Sequence, residues 1–450
     1  MDKAKPFCIS KREVWEAYKR VRANRGAAGV DGQTLAQFEE DVGNHLYRIW
    51  NRMSSGSYMP ASVRRVEIPK SDGRMRPLGV PTVADRIAQM VVKRRLEPLL
   101  EPVFHDNSYG YRPGRSAHQA LTAARERCWR QDWVLDLDIK GFFDNIDHEL
   151  MMRAVRCHTT CRWTLLYIQR WLKASVQMPS GEVVKSDKGT PQGGVISPLL
   201  ANLFLHYAFD RWMGEHYPGV AFERYADDVI CHCASQAQAL ELRQALEQRM
   251  HACKLELHPH KTQIAYCRDG KRKDDYQPRK FDFLGHTFKP RKAMTRSGRL
   301  FLNFAPAVGD AAGKAMRQTM RRWQVHRRSD LELDEIARWM APQLKGWVQY
   351  YGRFNKSALH SALRSLDGSL MRWAQRKYTR FTRHPQRAWD WLNRLRAYRP
   401  TLFAHWSCGS TVGQQEPYES RDSRTVLGER GGAIPLRHST LLPPIRAQIS

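Results

Sequence analysis

Between Phe222 and Cys233 the chain reads FERYADDVICHC, and this stretch constrains the fold more than any other. The runs 222–225 and 229–233 are read as two short strands, with Ala226, Asp227 and Asp228 at the bend between them. Adjacent carboxylates repel one another, and burying them is costly unless cations neutralise them. Mg²⁺ suits such a place, because it takes a few carboxylate oxygens and completes its shell with water and substrate phosphates. Two such ions can activate a hydroxyl nucleophile and stabilise a leaving pyrophosphate. That chemistry calls for a further carboxylate on a neighbouring strand. In DWVLDLDIKGFFDNIDHELM, Leu135 and Leu137 alternate with Asp136 and Asp138 as a strand would, and Asp138 is the candidate.

The setting of these acids is a strongly basic chain. Its 450 residues hold 74 Lys and Arg against 45 Asp and Glu, a formal net charge of +29. Such an excess points to a polyanionic partner, phosphate backbones first. A membrane role is not expected, since no apolar run approaches the roughly 20 residues that span a bilayer. The opening MDKAKPFCISKREVWEAYKR has no signal-peptide core, and Glu13 and Glu16 fit a transit peptide poorly, so a cytoplasmic location is expected. The nine cysteines are scattered, as in a reducing compartment. Cys157, His158 and Cys161 lack a second ligand pair and are read as ordinary helix residues rather than a zinc site.

Along the chain, Ser10 with Glu13 and Thr34 with Gln37 form capping boxes ahead of helices, the second running through Phe38, Val42 and Leu46. RRVEIPKSDGRMRPLGVP reads as a β-hairpin with Asp72-Gly73 at its turn and Lys70, Arg74 and Arg76 around the tip. A helix is expected from Thr82 to Leu96, stopping before Pro98. Another follows GTPQGG, capped by Ser197 with Pro198 at its first position. Residues 237–253 read as helix, and LELHPHKTQIAY and KFDFLGHTF as short strands. From Ala311 to Tyr398 the pattern is helical, with about twenty basic residues against about six acidic ones. Beyond Cys408 the composition reads as loosely ordered tail.

The ordered series AAGVDG, IPKSDGRMRPLGVP, SYGYRPGRSAHQAL, LDIKGFFDNIDH, GTPQGGVISPLLANLFL, YADD, HPHKT and FLGHTF resembles the successive blocks of reverse transcriptases. The basic helices around LKGWVQYYGRFN resemble a thumb-like maturase domain. Across residues 10–405 the chain is similar to group II intron-encoded reverse transcriptase/maturases. The resemblance implies an α+β, right-hand polymerase. It would comprise an N-terminal helical extension (1–50), fingers and palm with an antiparallel palm sheet (51–290), an α-helical thumb (291–400) and a loose tail (401–450).

It also implies site residues. Asp138, Asp227 and Asp228 match the palm carboxylates, holding two Mg²⁺ ions, with Mn²⁺ as a substitute. Lys70 and Arg76 match fingertip cations for the triphosphate, Phe143 the ring beneath the incoming sugar, and Gln192 and Gly193 the block behind the nucleotide. Lys261 matches a position near primer and nucleotide. Arg112, Arg115 and Tyr225 are assigned to template and primer, with neighbouring acids as the other partners for the two arginines. Asp144 is read as structural, and His258 and His260 as loop residues. The partners implied are structured intron RNA, an RNA template with a DNA primer, dNTPs and target DNA. The setting implied is a bacterial-type ribonucleoprotein in the cytoplasm.

Many relatives carry a C-terminal endonuclease with paired cysteines and histidines. Only Cys408 lies beyond residue 300 here, so no such endonuclease is expected. A domesticated reverse transcriptase for defence or diversification, and an RNA-binding splicing factor with an inert site, are the alternatives.

Overall fold

The computed structural model describes residues 5–69, 75–295 and 297–408. They divide into two compact units between Cys267 and Arg268, inside the stretch assigned from sequence to fingers and palm.

The first unit opens with α1 (Lys11–Ala23), α2 (Leu35–Glu40) and α3 (Val42–Ser55). Both capping boxes are closed, with Glu13 N donating to Ser10 Oγ at 3.1 Å and Gln37 N to Thr34 Oγ1 at 3.2 Å. The helix expected to continue from Thr34 through Leu46 instead breaks at Asp41, where φ is −135° and ψ 48°. The break lets Phe38 and Leu46 both reach the core. β1 (Val63–Pro69) and β2 (Met75–Val80) pair antiparallel, with Ile68 opposite Arg76. The hairpin tip, including Lys70, Asp72, Gly73 and Arg74, lies outside the described residues.

α4 (Val83–Leu100) runs through Pro98 rather than stopping before it. A proline in a helix costs about 3 kcal/mol. Leu96 and Leu100 are fully buried. Each contributes about 1.5–3 kcal/mol, enough to carry the helix on. At its start Asp85 is buried and accepts from Tyr58 Oη at 2.7 Å and Thr82 Oγ1 at 2.9 Å. Burial pushes the Asp85 carboxyl above its ordinary 3.8. The folded chain therefore holds this proton more tightly than the unfolded chain. The contribution to stability is present below the unfolded pKa and is lost as pH rises through the folded one. The stability of wild type relative to Asp85→Asn is expected to fall as pH is raised across the carboxylate range. Denaturant titrations at a series of pH values measure it, and a rising difference would contradict it.

Next come α5 (Ala117–Cys128), β3 (Trp133–Asp138), α6 (Phe142–Asn145), α7 (His148–Arg156) and α8 (Arg162–Leu172). A small hairpin, β4 (Val176–Gln177) and β5 (Val183–Val184), extends the first sheet in the order β2-β1-β4-β5. α9 (Ser197–Leu205) leads through a π-helical turn, His206–Asp210, into α10 (Arg211–His216). Ser197 is not the cap expected of it. It lies inside the first turn, Ile196 is the cap residue, and the Thr190 hydroxyl donates to Ser197 Oγ at 2.8 Å. β6 (Ala221–Tyr225), β7 (Asp228–Cys233), α11 (Gln236–Ala252) and β8 (Gln263–Tyr266) complete the unit. The second sheet has the order β6-β7-β3-β8, antiparallel throughout. Its apolar side, with Leu135, Leu137 and Cys231, joins Leu199 and Leu203 of α9 and Leu242 and Leu246 of α11 in one core.

The second unit begins with β9 (Phe281–Phe283), β10 (His286–Met294) and β11 (Leu300–Val308), in the order β11-β10-β9. The long β10–β11 hairpin falls where the sequence was assigned to helical thumb. Four helices follow: α12 (Asp310–Trp323), α13 (Leu333–Tyr351), α14 (Lys356–Lys377) and α15 (Pro385–Tyr398). They close on Leu363, Leu366, Leu370 and Trp373. Residues 401–408, expected in a loose tail, are packed instead. Phe403 and Trp406 are buried, and Trp406 Nε1 donates to Asp367 Oδ1 at 2.9 Å. An indole of that size returns more by burial than a free end gains in entropy. The mixed first unit with its antiparallel sheet and the mainly helical second unit agree with the α+β, right-hand class. Among the described residues no helix is long and apolar enough to cross a membrane.

Candidate active site

The antiparallel register brings the acids together. Asp138 ends β3 directly opposite Asp228, the first residue of β7. Tyr225 pairs with Asp228 across the β6–β7 hairpin, leaving Ala226 and Asp227 as its two-residue turn. Directly opposed residues have Cβ atoms about 4.5–5.5 Å apart, so Asp138 and Asp228 flank the same strand end. Asp138 is pinned at its backbone, its carbonyl accepting from His258 N at 2.7 Å. Its Oδ2 accepts from Lys261 Nζ at 2.8 Å.

Asp227 titrates abnormally. Burial pushes its carboxyl above the ordinary carboxylate range, the Asp138 charge adds to the push, and the charges of Arg76 and Lys261 oppose it. Tyr111 feels Asp227 and Tyr225, its hydroxyl pushed up first by burial, and its ring lies 6.5 Å from that of Tyr225. Asp138, Asp227, Asp228, Arg76, Lys261 and Tyr225 thus gather at one place. Among the described residues no three His, Cys, Asp or Glu side chains form a ready-made metal cage. Two or three carboxylates with room for phosphate oxygens still suit Mg²⁺, which seldom uses an all-protein cage.

Phe143 and the loop carrying Gln192 and Gly193 are joined to neighbouring elements by backbone hydrogen bonds. Phe143 sits half-buried in the single turn α6, its ring 5.4 Å from that of Phe142. Thr190 N donates to Phe143 O at 2.8 Å, and Gly79 N donates to Gln192 O at 2.7 Å. The loop carrying Gln192 and Gly193 is therefore stitched to α6 on one side and to β2 on the other. Gly193 has φ +122°, and a Cβ there would meet Gly79 O at 2.5 Å. Only glycine fits this approach.

Comparison with known families agrees with this geometry. Residues 68–288 match the family described as reverse transcriptase (RNA-dependent DNA polymerase), and residues 313–389 match the group II intron, maturase-specific domain. Protein YkfC of Escherichia coli K12 is 33% identical over 314 residues, 60% of this chain and 78% of that protein. The chain belongs to the group II intron reverse transcriptase/maturase family. Its function is that of a reverse transcriptase that also acts as a maturase in intron splicing and mobility. The group II intron-encoded protein LtrA of Lactococcus lactis subsp. cremoris is 38% identical over 193 residues, 42% of this chain and 32% of LtrA. Nuclear intron maturase 1, mitochondrial, of Arabidopsis thaliana is 30% identical over 95 residues, 21% of this chain and 13% of that protein.

Within this reverse transcriptase, Arg112 takes the acidic-neighbour alternative rather than the template role. Its guanidinium is turned inward, with Nε on Glu101 Oε1 at 2.9 Å and Nη1 on the carbonyls of His105 and Ser108, each at 2.7 Å. Arg112 is an internal brace and not a template contact, because its side chain is only 4% exposed. Arg115 is half-buried and pairs with exposed Asp106 at 2.8 Å, the acidic-neighbour alternative. Cys157 and His158 serve the helices, His158 Nε2 lying 2.8 Å from the Tyr207 hydroxyl. Sequence reasoning missed the group beneath the turn. Arg224, Asp210 and Asn202 are buried there and hydrogen-bonded together. The available signal was Asn202 and Asp210 standing, with His206, as polar residues in the otherwise apolar helical run 199–210.

Proposed function

We propose that this strand end is a two-Mg²⁺ polymerase centre, with Asp138 and Asp227 as the ligands and Asp228 supporting the local charge. The register of Asp138 against Asp228, with Asp227 in the adjoining turn, carries the reading. The donor set is all hard oxygen, the kind of ligand that Mg²⁺ takes. Mg²⁺ held there supplies activation of the primer 3′-hydroxyl and charge compensation for pyrophosphate, with Mn²⁺ able to substitute.

The chain's own residues do the positioning. Arg76, with Lys70, grips the triphosphate of a dNTP. Lys261 keeps a positive charge beside Asp138 and the incoming phosphates. Gln192 and Gly193 back the nucleotide, and Tyr225 borders the RNA template and DNA primer. Phe143 lies beneath the sugar, where its ring collides with a 2′-hydroxyl. Phe143→Ala is expected to raise ribonucleotide use relative to deoxynucleotide use by about tenfold or more, read from competing single-nucleotide incorporations. An unchanged ratio would remove Phe143 from sugar selection.

Primer extension on an RNA template tests the centre. Product is expected with Mg²⁺ and none in chelator, and absence of product from wild type would defeat the proposal. For the maturase role, the basic helices of the second unit clamp structured intron RNA, and target DNA receives the intron. The logarithm of RNA affinity is expected to fall linearly with the logarithm of salt, by about 0.7–0.9 per neutralised phosphate. A salt-independent affinity would contradict it. Sequencing RNA that stays bound through purification separates an intron from a dedicated non-coding RNA.

A further inference from the structure

We infer that Asn202 and the buried Arg224–Asp210 pair are positioning residues for the polymerase centre, holding from behind the turn that presents Asp227. The inference rests on the two-metal reading above and deepens it.

The turn needs holding. Ala226, its first central residue, has φ +58°, a left-handed backbone that a Cβ disfavours and that glycine would adopt freely. Such a conformation persists only where the surroundings over-determine it. Here Arg224 Nη1 donates to the Ala226 carbonyl at 3.1 Å. The guanidinium is itself locked by a bidentate pair, Nε to Asp210 Oδ1 at 2.6 Å and Nη2 to Asp210 Oδ2 at 2.5 Å. Asn202 links the pair to a second support. Its Oδ1 accepts from Arg224 Nη1 at 3.0 Å, and its Nδ2 donates to Gly110 O at 2.6 Å. Gly110 lies flat against the turn, since a Cβ there would meet Ala226 N at 2.4 Å.

The backbone on the same side is paired too, Tyr109 N donating to Arg224 O at 2.8 Å and Arg224 N to Asn107 O at 2.9 Å. Arg224 and Asp210 are 0% exposed and Asn202 1%. The helix supplying Asp210 is altered to do so. His206–Asp210 is a π-helical turn between α9 and α10, closed by Arg211 N on His206 O. Successive residues of an α-helix rotate by about 100°, so the wider turn re-aims whatever follows it. A pair serving only as core packing has no need of a donor on the one carbonyl between Tyr225 and Asp227.

The experiment compares Asn202→Ala with Leu242→Ala, a core variant of α11 that serves as a stability control. Steady-state primer extension on an RNA template gives the first readout. For Asn202→Ala, kcat is expected to fall by roughly tenfold to a hundredfold with KM for dNTP within about twofold, as for a small misplacement of a reacting group. The control is expected to keep its kcat. The second readout uses Fe²⁺ in place of Mg²⁺, with ascorbate and hydrogen peroxide, and maps backbone cleavage beside Asp227 by mass spectrometry. Half-maximal cleavage is expected at higher Fe²⁺ in Asn202→Ala than in wild type or control. If Asn202→Ala does not fold, Arg224→Lys keeps the charge on Asp210, loses the Arg224 donor to Ala226, and is read the same way. Equal kcat and equal Fe²⁺ response in variant and control would overturn the inference. Inactive wild type would instead overturn the polymerase reading on which it rests, and the two failures are distinguishable.

Discussion

Asp227→Asn is expected to abolish primer extension while leaving the fold intact. Asparagine keeps the size of the side chain and much of its hydrogen bonding but cannot carry the negative charge that holds Mg²⁺. Losing about 4 kcal/mol of transition-state stabilisation slows synthesis roughly a thousandfold, and more if both ions are lost. The thermal midpoint is expected to hold or rise without added metal. Burial already pushes the Asp227 carboxyl up, so its charge opposes folding. Asp138→Asn is expected to be equally inactive. It gives up one ion pair with Lys261, whose side chain is 42% exposed, and pairs of that kind contribute little. Single-turnover extension on an RNA template, with melting curves of the same preparations, checks both. Product formation by Asp227→Asn within tenfold of wild type would sink the catalytic assignment.

Asp210→Ala is expected to give the largest loss of stability, about 3–5 kcal/mol, because it strands the fully buried Arg224 guanidinium without its counter-charge. The companion test replaces both partners, Asp210→Leu with Arg224→Met. Apolar residues of similar volume often replace a buried pair at little cost, so most of the stability is expected to return. Activity is not expected to return with it, because Ala226 O still lacks the donor that Arg224 supplied. Denaturant titration and primer extension on wild type, Asp210→Ala and the double variant separate the two effects. Recovery of both together would mean that the pair acts through stability alone.

Much of the centre was legible because its signals are local. Alternation of Leu135 and Leu137 with Asp136 and Asp138 follows from strand geometry, and the bend at Ala226–Asp227 interrupts two runs of β-formers. The capping boxes at Ser10 and Thr34 are contacts three residues apart. Other local signals were outweighed. Pro98 reads as a stop, but burial of Leu96 and Leu100 carries α4 through it. Ser197 has the chemistry of a cap, yet its hydroxyl is taken by Thr190. The β10–β11 hairpin, with Thr295 N donating to Arg299 O at 2.9 Å, sits where the reading ran straight on to thumb helices.

Read alone, the amino-acid order determined the class of fold, the three aspartates and the basic helical module, since each is written in contiguous residues or in the order of short blocks. The tertiary structure decided which polar side chains are free to act. Arg112 and Arg224 are both arginines beside a motif tyrosine, and both prove to be buried braces rather than contacts for nucleic acid. Their partners lie 11 residues away at Glu101 and 14 away at Asp210, and Asn202 reaches Gly110 across 92. Nothing in the local order marks such pairings. They arise because a buried charge is stable only beside a buried partner, and folding alone determines which distant residue that is.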